Sequence, residues 1–182
     1  MRQPAAKLSV LLTEEQIRER VIALGEEIKS RFADETEPIV LVAILKGSVI
    51  FLADLCRAID RPLQLEFMGV SSYGDATVSS GVVQITQDLT SAIKNRHVVI
   101  VEDIVDTGLT IKYLIDILKA RSPKSLSVCA LLEKPAKSKG EVTIDFLGFS
   151  IPDQFVIGYG LDYAELYRNL PYIGLIGQLH AT

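Results

Sequence analysis

The residues with the clearest chemical potential lie in segment 98–110, where an apolar run is followed by acids, hydroxyls and a glycine. Residues 98–101 are all apolar, as in a buried strand, and Glu102 and Asp103 come directly after them. A second polar group occupies residues 106–110. In open α/β sheets, ligands bind beyond the carboxyl ends of the strands. The spacing therefore predicts a ligand site at the turn between this strand and the next helix.

The turn formed by residues 106–110 has the groups that a phosphate site needs. Thr107 and Thr110 offer hydroxyls, and Gly108 allows a ligand to approach the backbone closely. A helix that begins near Thr110 directs its positive end and its free amides at the turn. The turn is therefore suited to binding one phosphate group.

Glu102 and Asp103 would repel an anion bound in that turn, because two like charges about 4 Å apart cost about 4 kcal/mol at an effective dielectric of 20. The acids must therefore face hydroxyl groups or a cation. A ribose diol can donate to both carboxylates, and an all-oxygen site beside phosphates favours hydrated Mg²⁺. A simple helix cap at Asp106 or Thr107 is the alternative for each residue alone. The combination favours a sugar phosphate with a metal ion.

The pattern Glu102-Asp103-x-x-Asp106-Thr107-Gly108-x-Thr110 resembles the signature of the type I phosphoribosyltransferases. Other segments between residues 45 and 168 resemble the hypoxanthine-guanine members of that family. The resemblance implies that Glu102 and Asp103 bind the ribose hydroxyls and help to hold Mg²⁺. It also implies that residues 106–110, Leu109 included, bind the 5′-phosphate, and that Asp106 is the general base at nitrogen seven of a purine.

Two further segments resemble loops of the same family. Lys46 and Gly47 match the pyrophosphate loop, in which the peptide bond before the lysine is commonly cis. Ser72 and Tyr73 match the Ser-Tyr pair of the mobile catalytic loop, and the polar segment 71–81 is expected to form a flap over the site. A solvated strand-end lysine and a surface turn are the simpler interpretations of these segments.

The purine side of the predicted site lies further along the chain. Lys134 resembles the lysine that contacts the exocyclic oxygen of the purine, and Phe155 and Val156 resemble the pair that stacks on the base and contacts it through the backbone. Asp162 resembles a second magnesium ligand, and Arg168 resembles the arginine that reaches pyrophosphate. An exposed lysine, a core phenylalanine and a solvated helix arginine are the alternatives from the residues alone.

Hydrophobic periodicity predicts the elements that position these residues. Thr13 and Gln16 fit a capping box, and fully apolar runs suit central parallel strands. The predicted helices are residues 14–32, a helix with Leu52, Leu55, Cys56 and Ile59 on one face, and a helix with Ile111, Leu114, Ile115 and Leu118 on one face. The predicted strands are residues 39–45, 63–70, 82–86, 97–101 and 126–132.

Repeated strand-turn-helix units predict an α/β fold with a mostly parallel central sheet flanked by helices. The family resemblance adds the type I phosphoribosyltransferase fold, with a small hood and a mobile flap. The 182 residues suit a single domain, 1–182. Within it we expect a core at about residues 14–135 and a C-terminal purine-binding hood at about 136–182.

Composition narrows the function classes. A net charge of -4 and a pI near 5.2 argue against nucleic-acid binding, which needs clustered Lys and Arg. Cys56 and Cys129 lie in apolar segments and are expected to fill the core. The apolar stretch 8–12 is too short for a signal peptide, and tract 39–56 is interrupted by polar residues, so it cannot span a bilayer. We therefore expect a cytoplasmic protein.

The resemblance predicts a purine salvage enzyme that uses Mg²⁺ to transfer a phosphoribosyl group from phosphoribosyl pyrophosphate to hypoxanthine or guanine. Lys134 fits an oxygen at position six and argues against adenine. A transferase for xanthine is one alternative. A non-catalytic sensor of phosphoribosyl pyrophosphate is another, although it predicts a basic DNA-binding extension that this acidic chain lacks. The resemblance also implies a homodimer or homotetramer.

Overall fold

The structure is a computed structural model that describes residues 8–72, 83–138, 140 and 142–176. The described residues form nine strands and four helices. In chain order they are β1 (Leu8–Leu12), α1 (Glu14–Arg31), β2 (Ile39–Leu45), α2 (Val49–Ala58), β3 (Leu63–Ser72), β4 (Val83–Gln87), β5 (His97–Val105), α3 (Leu109–Lys119), β6 (Ser125–Glu133), α4 (Pro135–Ser138), β7 (Phe146–Ser150), β8 (Val156–Ile157) and β9 (Ile173–Ile176).

Helix α1 begins with the predicted capping box. The Thr13 hydroxyl accepts the N–H of Gln16 at 3.2 Å, and the Gln16 side chain accepts the N–H of Thr13 at 2.9 Å. These two bonds satisfy donors that the first helical turn leaves free. The apolar residues at helical spacing are buried against the sheet: Ile17, Val21, Leu24 and Ile28. The predicted helix is confirmed, and it ends at Arg31 because Phe32 is its C-cap.

The central sheet has six strands in the order β4-β3-β2-β5-β6-β7. Every pairing in it is parallel except that of β3 with β4. The buried side chains of α1 and α2 pack with Leu41 and Val99 in one apolar cluster, whereas those of α3 pack with Val40 and Ile100 in another. Adjacent strand residues face opposite sides of a sheet. Helices therefore cover both faces, and the predicted α/β architecture is confirmed.

A smaller antiparallel sheet, β1-β9-β8, joins residues from both ends of the described chain. Strand β1 was not predicted, because residues 8–12 are only a short apolar stretch when considered alone. The sheets do not divide at residue 136, because β7 lies in the large sheet. A purine-binding hood at residues 136–182 stays a prediction.

Three other expectations have mixed outcomes. Strand β4 occupies residues close to those predicted, but residues 73–82, and so most of the predicted flap, lie outside the described residues. Cys129 is fully buried as expected. Cys56 is only half-buried, because the core face of α2 is formed by Phe51, Leu52 and Leu55.

Of the helices in the described ranges, none has the length and apolar character needed to cross a bilayer.

Candidate active site at the carboxyl edge of the sheet

Strand β5 is longer than the sequence predicted, and this changes the placement of its two acids. It continues to Val105 because its pairing with β6 continues, with Glu102 opposite Ala130 and Ile104 opposite Leu132. Glu102 and Asp103 are therefore inside the strand rather than beyond its end. Successive strand side chains point to opposite faces, so the two carboxylates face different parts of the cleft.

Glu102 faces the predicted phosphate turn. Together with residues from that turn it lines a cavity of 90 Å³, whose polar wall is formed by Glu102, Asp106, Thr107, Gly108 and Thr110. Gly108 has φ +82°, and a side chain there would be strained in this left-handed conformation. Helix α3 begins at Leu109, whose N–H donates to the Thr107 hydroxyl at 3.4 Å. The turn thus combines a helix N-terminus with open space, which is the arrangement that binds a phosphate.

The two acids are held in an environment that disfavours their charge. Burial raises the pKa of Glu102 well above its usual range, and the neighbouring Asp103 raises it further. The Oε2 atom of Glu102 is buried and accepts no hydrogen bond within the described part of the chain. Burial also raises the pKa of Asp103 from 3.8 to about 6, although its carboxylate accepts the N–H of Ile104 at 2.9 Å. A buried carboxylate oxygen without a partner, beside a second acid whose charge is disfavoured, indicates a site for hydrogen-bond donors or a cation.

The raised pKa of Asp103 leads to a stability prediction. Ionising this carboxyl costs the folded state free energy above pH 6, a cost that is absent below the unfolded pKa of 3.8. Asp103→Asn should therefore raise the free energy of unfolding at pH 8, in buffer without magnesium, by roughly 1 to 3 kcal/mol. The gain should vanish as the pH falls towards 4, because both forms are then neutral. Urea unfolding across this pH range measures it.

Asp88 provides a control in which the pKa shift, and so the effect on stability, has the opposite sign. A hydrogen bond from Arg121 holds the pKa of the Asp88 carboxyl below its ordinary value, so its charge favours the folded state. Asp88→Asn should lower stability at pH 8, and the loss should fade under acidic conditions. If Asp103→Asn is destabilising at pH 8, the raised pKa of Asp103 is wrong.

Asp103 lies on the other face, against the loop after β2. The peptide bond between Leu45 and Lys46 is cis, as the family resemblance implied. A Cβ atom on Gly47 would lie 1.6 Å from Oδ2 of Asp103, and a Cβ atom on Gly160 would lie 2.0 Å from the carbonyl oxygen of Gly47. Three segments of the chain therefore meet here: the backbones of Gly47 and Gly160 are in direct contact, and the Asp103 carboxylate packs against Gly47.

The two cations predicted to bind pyrophosphate lie beside this contact. Arg168 donates to the carbonyl of Gly160 at 2.8 Å and pairs with Asp162 at 2.8 Å. Its side chain is one quarter exposed and belongs to a turn, so the solvated helix alternative is wrong. Lys46 is largely exposed and pairs with Glu165 at 2.9 Å. The hydrogen bond from Lys46 lowers the pKa of Glu165. No sequence pattern singled out Glu165.

Lys134 is buried rather than exposed, so the plain surface alternative is wrong. Its ammonium lies 3.5 Å from Asp106 and 3.7 Å from Asp153. Lys137 completes the group, 3.0 Å from Asp153 and 3.5 Å from Asp106. Neither Lys137 nor Asp153 belongs to a motif that the sequence made visible. Two lysines and two carboxylates, one of them the predicted general base Asp106, thus form one charge cluster that positions both Asp106 and Lys134.

The remaining predicted residues have contrasting environments. Phe155 is 55% exposed, and its ring meets Tyr163 edge-on at 5.7 Å between centroids, so it is not a core residue. The neighbouring Val156 is buried in β8. Ser72 is the last residue of β3, and Tyr73 lies outside the described residues.

The predicted metal-binding acids do not form one compact group. Across residues 8–72, 83–138, 140 and 142–176, no three His, Cys, Asp or Glu side chains converge on a point that could hold a metal ion. Glu102 and Asp103 lie on β5, whereas Asp162 is paired with Arg168. A cation here would need oxygen ligands from a substrate as well as from the protein.

The known proteins that resemble this chain in sequence and those that resemble it in structure are of the same kind. The family described as phosphoribosyl transferase domain matches residues 12–164. The chain is 49% identical over 167 residues to the hypoxanthine-guanine phosphoribosyltransferase of Bacillus subtilis, with 92% of each chain covered. A hypoxanthine phosphoribosyltransferase structure from Staphylococcus aureus has a TM-score of 0.88 at 47% identity, covering 94% of this chain and 92% of that one. The Trypanosoma cruzi enzyme in complex with the product IMP has a TM-score of 0.87 at 40% identity, covering 97% and 98%.

Proposed function

This chain belongs to the phosphoribosyltransferase family, and we infer from that membership that it is a purine salvage enzyme. It transfers the 5-phosphoribosyl group from phosphoribosyl pyrophosphate to hypoxanthine or guanine, releasing IMP or GMP and pyrophosphate. The observation that best supports this function is the position of buried Lys134 beside Asp106, next to the phosphate turn. A donor for a 6-oxopurine, a base and a phosphate site thus lie at one edge of the sheet.

The sugar phosphate is bound by the end of β5 and the start of α3. The 5′-phosphate accepts hydrogen bonds from the turn of residues 106–110, where the helix N-terminus favours an anion. Glu102 and Asp103 accept hydrogen bonds from the ribose hydroxyls, which supply a donor for the buried Oε2 atom of Glu102. Binding of the substrate therefore relieves the cost of burying the two carboxylates.

The purine is bound and activated by the charge cluster. Lys134 is a donor without an acceptor, so it suits an oxygen at position six and not an amino group. Asp106 removes the proton from nitrogen seven, while the other imidazole nitrogen attacks the anomeric carbon. The exposed ring of Phe155 stacks on the base, and the backbone of Val156 contacts its edge.

The residues present fit magnesium. The candidate donors are all carboxylate oxygens, the ligand type that Mg²⁺ prefers, and the buried Oε2 of Glu102 has no partner among the described residues. Glu102, Asp103 and Asp162 are the residues that would hold Mg²⁺, with substrate oxygens as further ligands. When bound, the metal neutralises charge on the pyrophosphate. Lys46 and Arg168 add positive charge at the same leaving group, which departs through a transition state with oxocarbenium character.

The polar segment 71–81 acts as a flap that excludes water from the activated sugar. Replacing residues 73–82 with a short Gly-Ser turn should increase hydrolysis of phosphoribosyl pyrophosphate relative to transfer. The ratio of ribose 5-phosphate to nucleoside monophosphate measures the change. An unchanged ratio in a variant that still makes nucleotide contradicts a role in water exclusion.

The enzyme is expected in the cytoplasm as a homodimer or homotetramer, which analytical ultracentrifugation of the purified chain would measure. The decisive activity test incubates the protein with Mg²⁺, phosphoribosyl pyrophosphate and one purine at a time. IMP and GMP are the expected products, and adenine should give none. Product from xanthine alone would indicate a different base preference. No product from any 6-oxopurine would contradict the function and favour a sensor.

A further inference from the structure

Both cations proposed to bind pyrophosphate already have a carboxylate partner, Glu165. Its Oε2 atom lies 2.9 Å from the ammonium of Lys46, and its Oε1 atom lies 3.6 Å from the guanidinium of Arg168. One side chain therefore spans the two positive groups, in the position of a bridging anion.

With Glu165 in place, this part of the site has no net positive charge. Lys46 and Arg168 contribute two positive charges, and Asp162 and Glu165 contribute two negative ones within ion-pair distance of them. A pyrophosphate group approaching these cations would meet two carboxylates. Two like charges about 4 Å apart in water repel each other by ~1 kcal/mol, so substrate binding favours the displacement of one carboxylate.

Of the two acids, Glu165 is the one placed to move. Asp162 is partly buried, accepts the N–H of Glu165 at 2.8 Å and pairs with Arg168 at 2.8 Å. The side chain of Glu165 is 67% exposed, and its contacts are with the two cations alone among those described. Exposed ion pairs are weak and exchange readily. Glu165 can therefore be displaced while Asp162 stays in place.

The backbone directs Glu165 towards the cations. Residues Tyr163 and Leu166 exchange two backbone hydrogen bonds, of 3.1 and 3.0 Å, and enclose a tight turn. Within it, Ala164 and Glu165 have φ values of 51° and 65°, in the left-handed region that few non-glycine residues adopt. An exposed glutamate rarely adopts this conformation. Here it directs the side chain towards Lys46 in the loop after β2.

We propose that Glu165 is an internal competitor for the pyrophosphate subsite, which occupies Lys46 and Arg168 in the free enzyme and is displaced by the diphosphate of the substrate. The proposal rests on the proposed function. Glu165 lowers the affinity for both phosphoribosyl pyrophosphate and pyrophosphate. It also returns to the cations as pyrophosphate leaves, and so helps to release the product.

The test is the affinity of Glu165→Gln for magnesium pyrophosphate, measured by titration calorimetry. The variant should bind about fivefold more tightly than the wild type, the factor that corresponds to ~1 kcal/mol of repulsion between unit charges about 4 Å apart in water. The KM for phosphoribosyl pyrophosphate should fall by a similar factor. Both gains should shrink at high ionic strength, because salt screens exposed charges.

Two control variants isolate the effect of the charge at this position. Glu19→Gln removes an equivalent charge from an exposed position on α1, and should leave the affinity unchanged. Glu165→Asp keeps the charge and should bind pyrophosphate within twofold of the wild type. Thermal unfolding of each variant confirms that it is folded.

Unchanged or weaker pyrophosphate binding by Glu165→Gln overturns the proposal, as does an equal gain in Glu19→Gln or in Glu165→Asp. These results differ from a failure of the proposed function. If the wild type makes IMP but Glu165→Gln shows no gain, only the competitor role is wrong. If the wild type neither binds pyrophosphate nor makes IMP, the function and this inference both fail.

Discussion

Asp106→Asn should lower kcat by about 10²- to 10⁴-fold, the usual contribution of a general base, and leave the KM for phosphoribosyl pyrophosphate within a few-fold of the wild type. Asparagine has nearly the same shape as aspartate but cannot take a proton from nitrogen seven. It also leaves Lys134, which lies 3.5 Å from Asp106, with less negative charge beside it. The phosphate turn is retained, since its backbone amides and hydroxyls are unchanged. Single-turnover assays with hypoxanthine measure the chemical step directly.

Asp153→Asn is the matched control for this experiment. Asp153 contacts the same two lysines, at 3.7 Å from Lys134 and 3.0 Å from Lys137, and is equally exposed. Its loss should raise the KM for the purine, because Lys134 is less firmly positioned, and should lower kcat far less than Asp106→Asn does. Near wild-type turnover in Asp106→Asn would remove the assignment of Asp106 as the base. Equal losses in both variants would indicate that the cluster acts only through its structure.

Gly160→Ala should lower kcat/KM by about 10²-fold or more, which is the scale of loss when reacting groups are misplaced by about 1 Å. The new Cβ atom would lie 2.0 Å from the carbonyl oxygen of Gly47, and φ at this position is +103°. The loop after β2 would have to move away from the turn that contains Gly160. That movement shifts Lys46 on one side and Arg168, which donates to the Gly160 carbonyl, on the other.

Gly140→Ala is the control that distinguishes the steric clash of the new Cβ atom from the strain of alanine at a positive φ angle. Gly140 also has positive φ, +70°, but a Cβ atom there would have no neighbour within 4 Å. Both alanines lose the freedom of glycine in the left-handed region, at a cost of order 1 to 3 kcal/mol, and both should lower the unfolding midpoint. Only Gly160→Ala should lose activity in steady-state assays. Retention of wild-type kcat/KM by Gly160→Ala would contradict the close contact of the two segments.

Much of the fold and of the candidate site follows from local pattern. The capping box at Thr13 and the buried face of α1 are set by residues close in sequence, and the structure has both. The apolar runs that predicted β2 and β5 are central strands, as uniform burial requires. The turn of residues 106–110 before α3 was also predictable, because its acid, hydroxyls and glycine are contiguous and the helix that follows them is identifiable by its periodicity.

Periodicity did not predict features that depend on a distant partner. Strand β5 continues past Val101 only because β6 continues to pair with it. Strand β1 exists because β9, near the other end of the described chain, supplies its hydrogen-bond partner. Neither partner is visible in a local window, since strand pairing satisfies backbone groups through residues that are remote in sequence.

The sequence by itself therefore determined helices α1 to α3, strands β2 to β6, the sheet class and the residue types of the contiguous signature, because these depend on residues within a few positions of one another. Only the tertiary structure decided that Lys134 and Lys137 enclose Asp106, that Gly47 contacts Asp103 and Gly160, and that Glu165 bridges Lys46 and Arg168. Those contacts join separate loops at one edge of the sheet. Strand order and register set their distances, and no spacing along the chain specifies either.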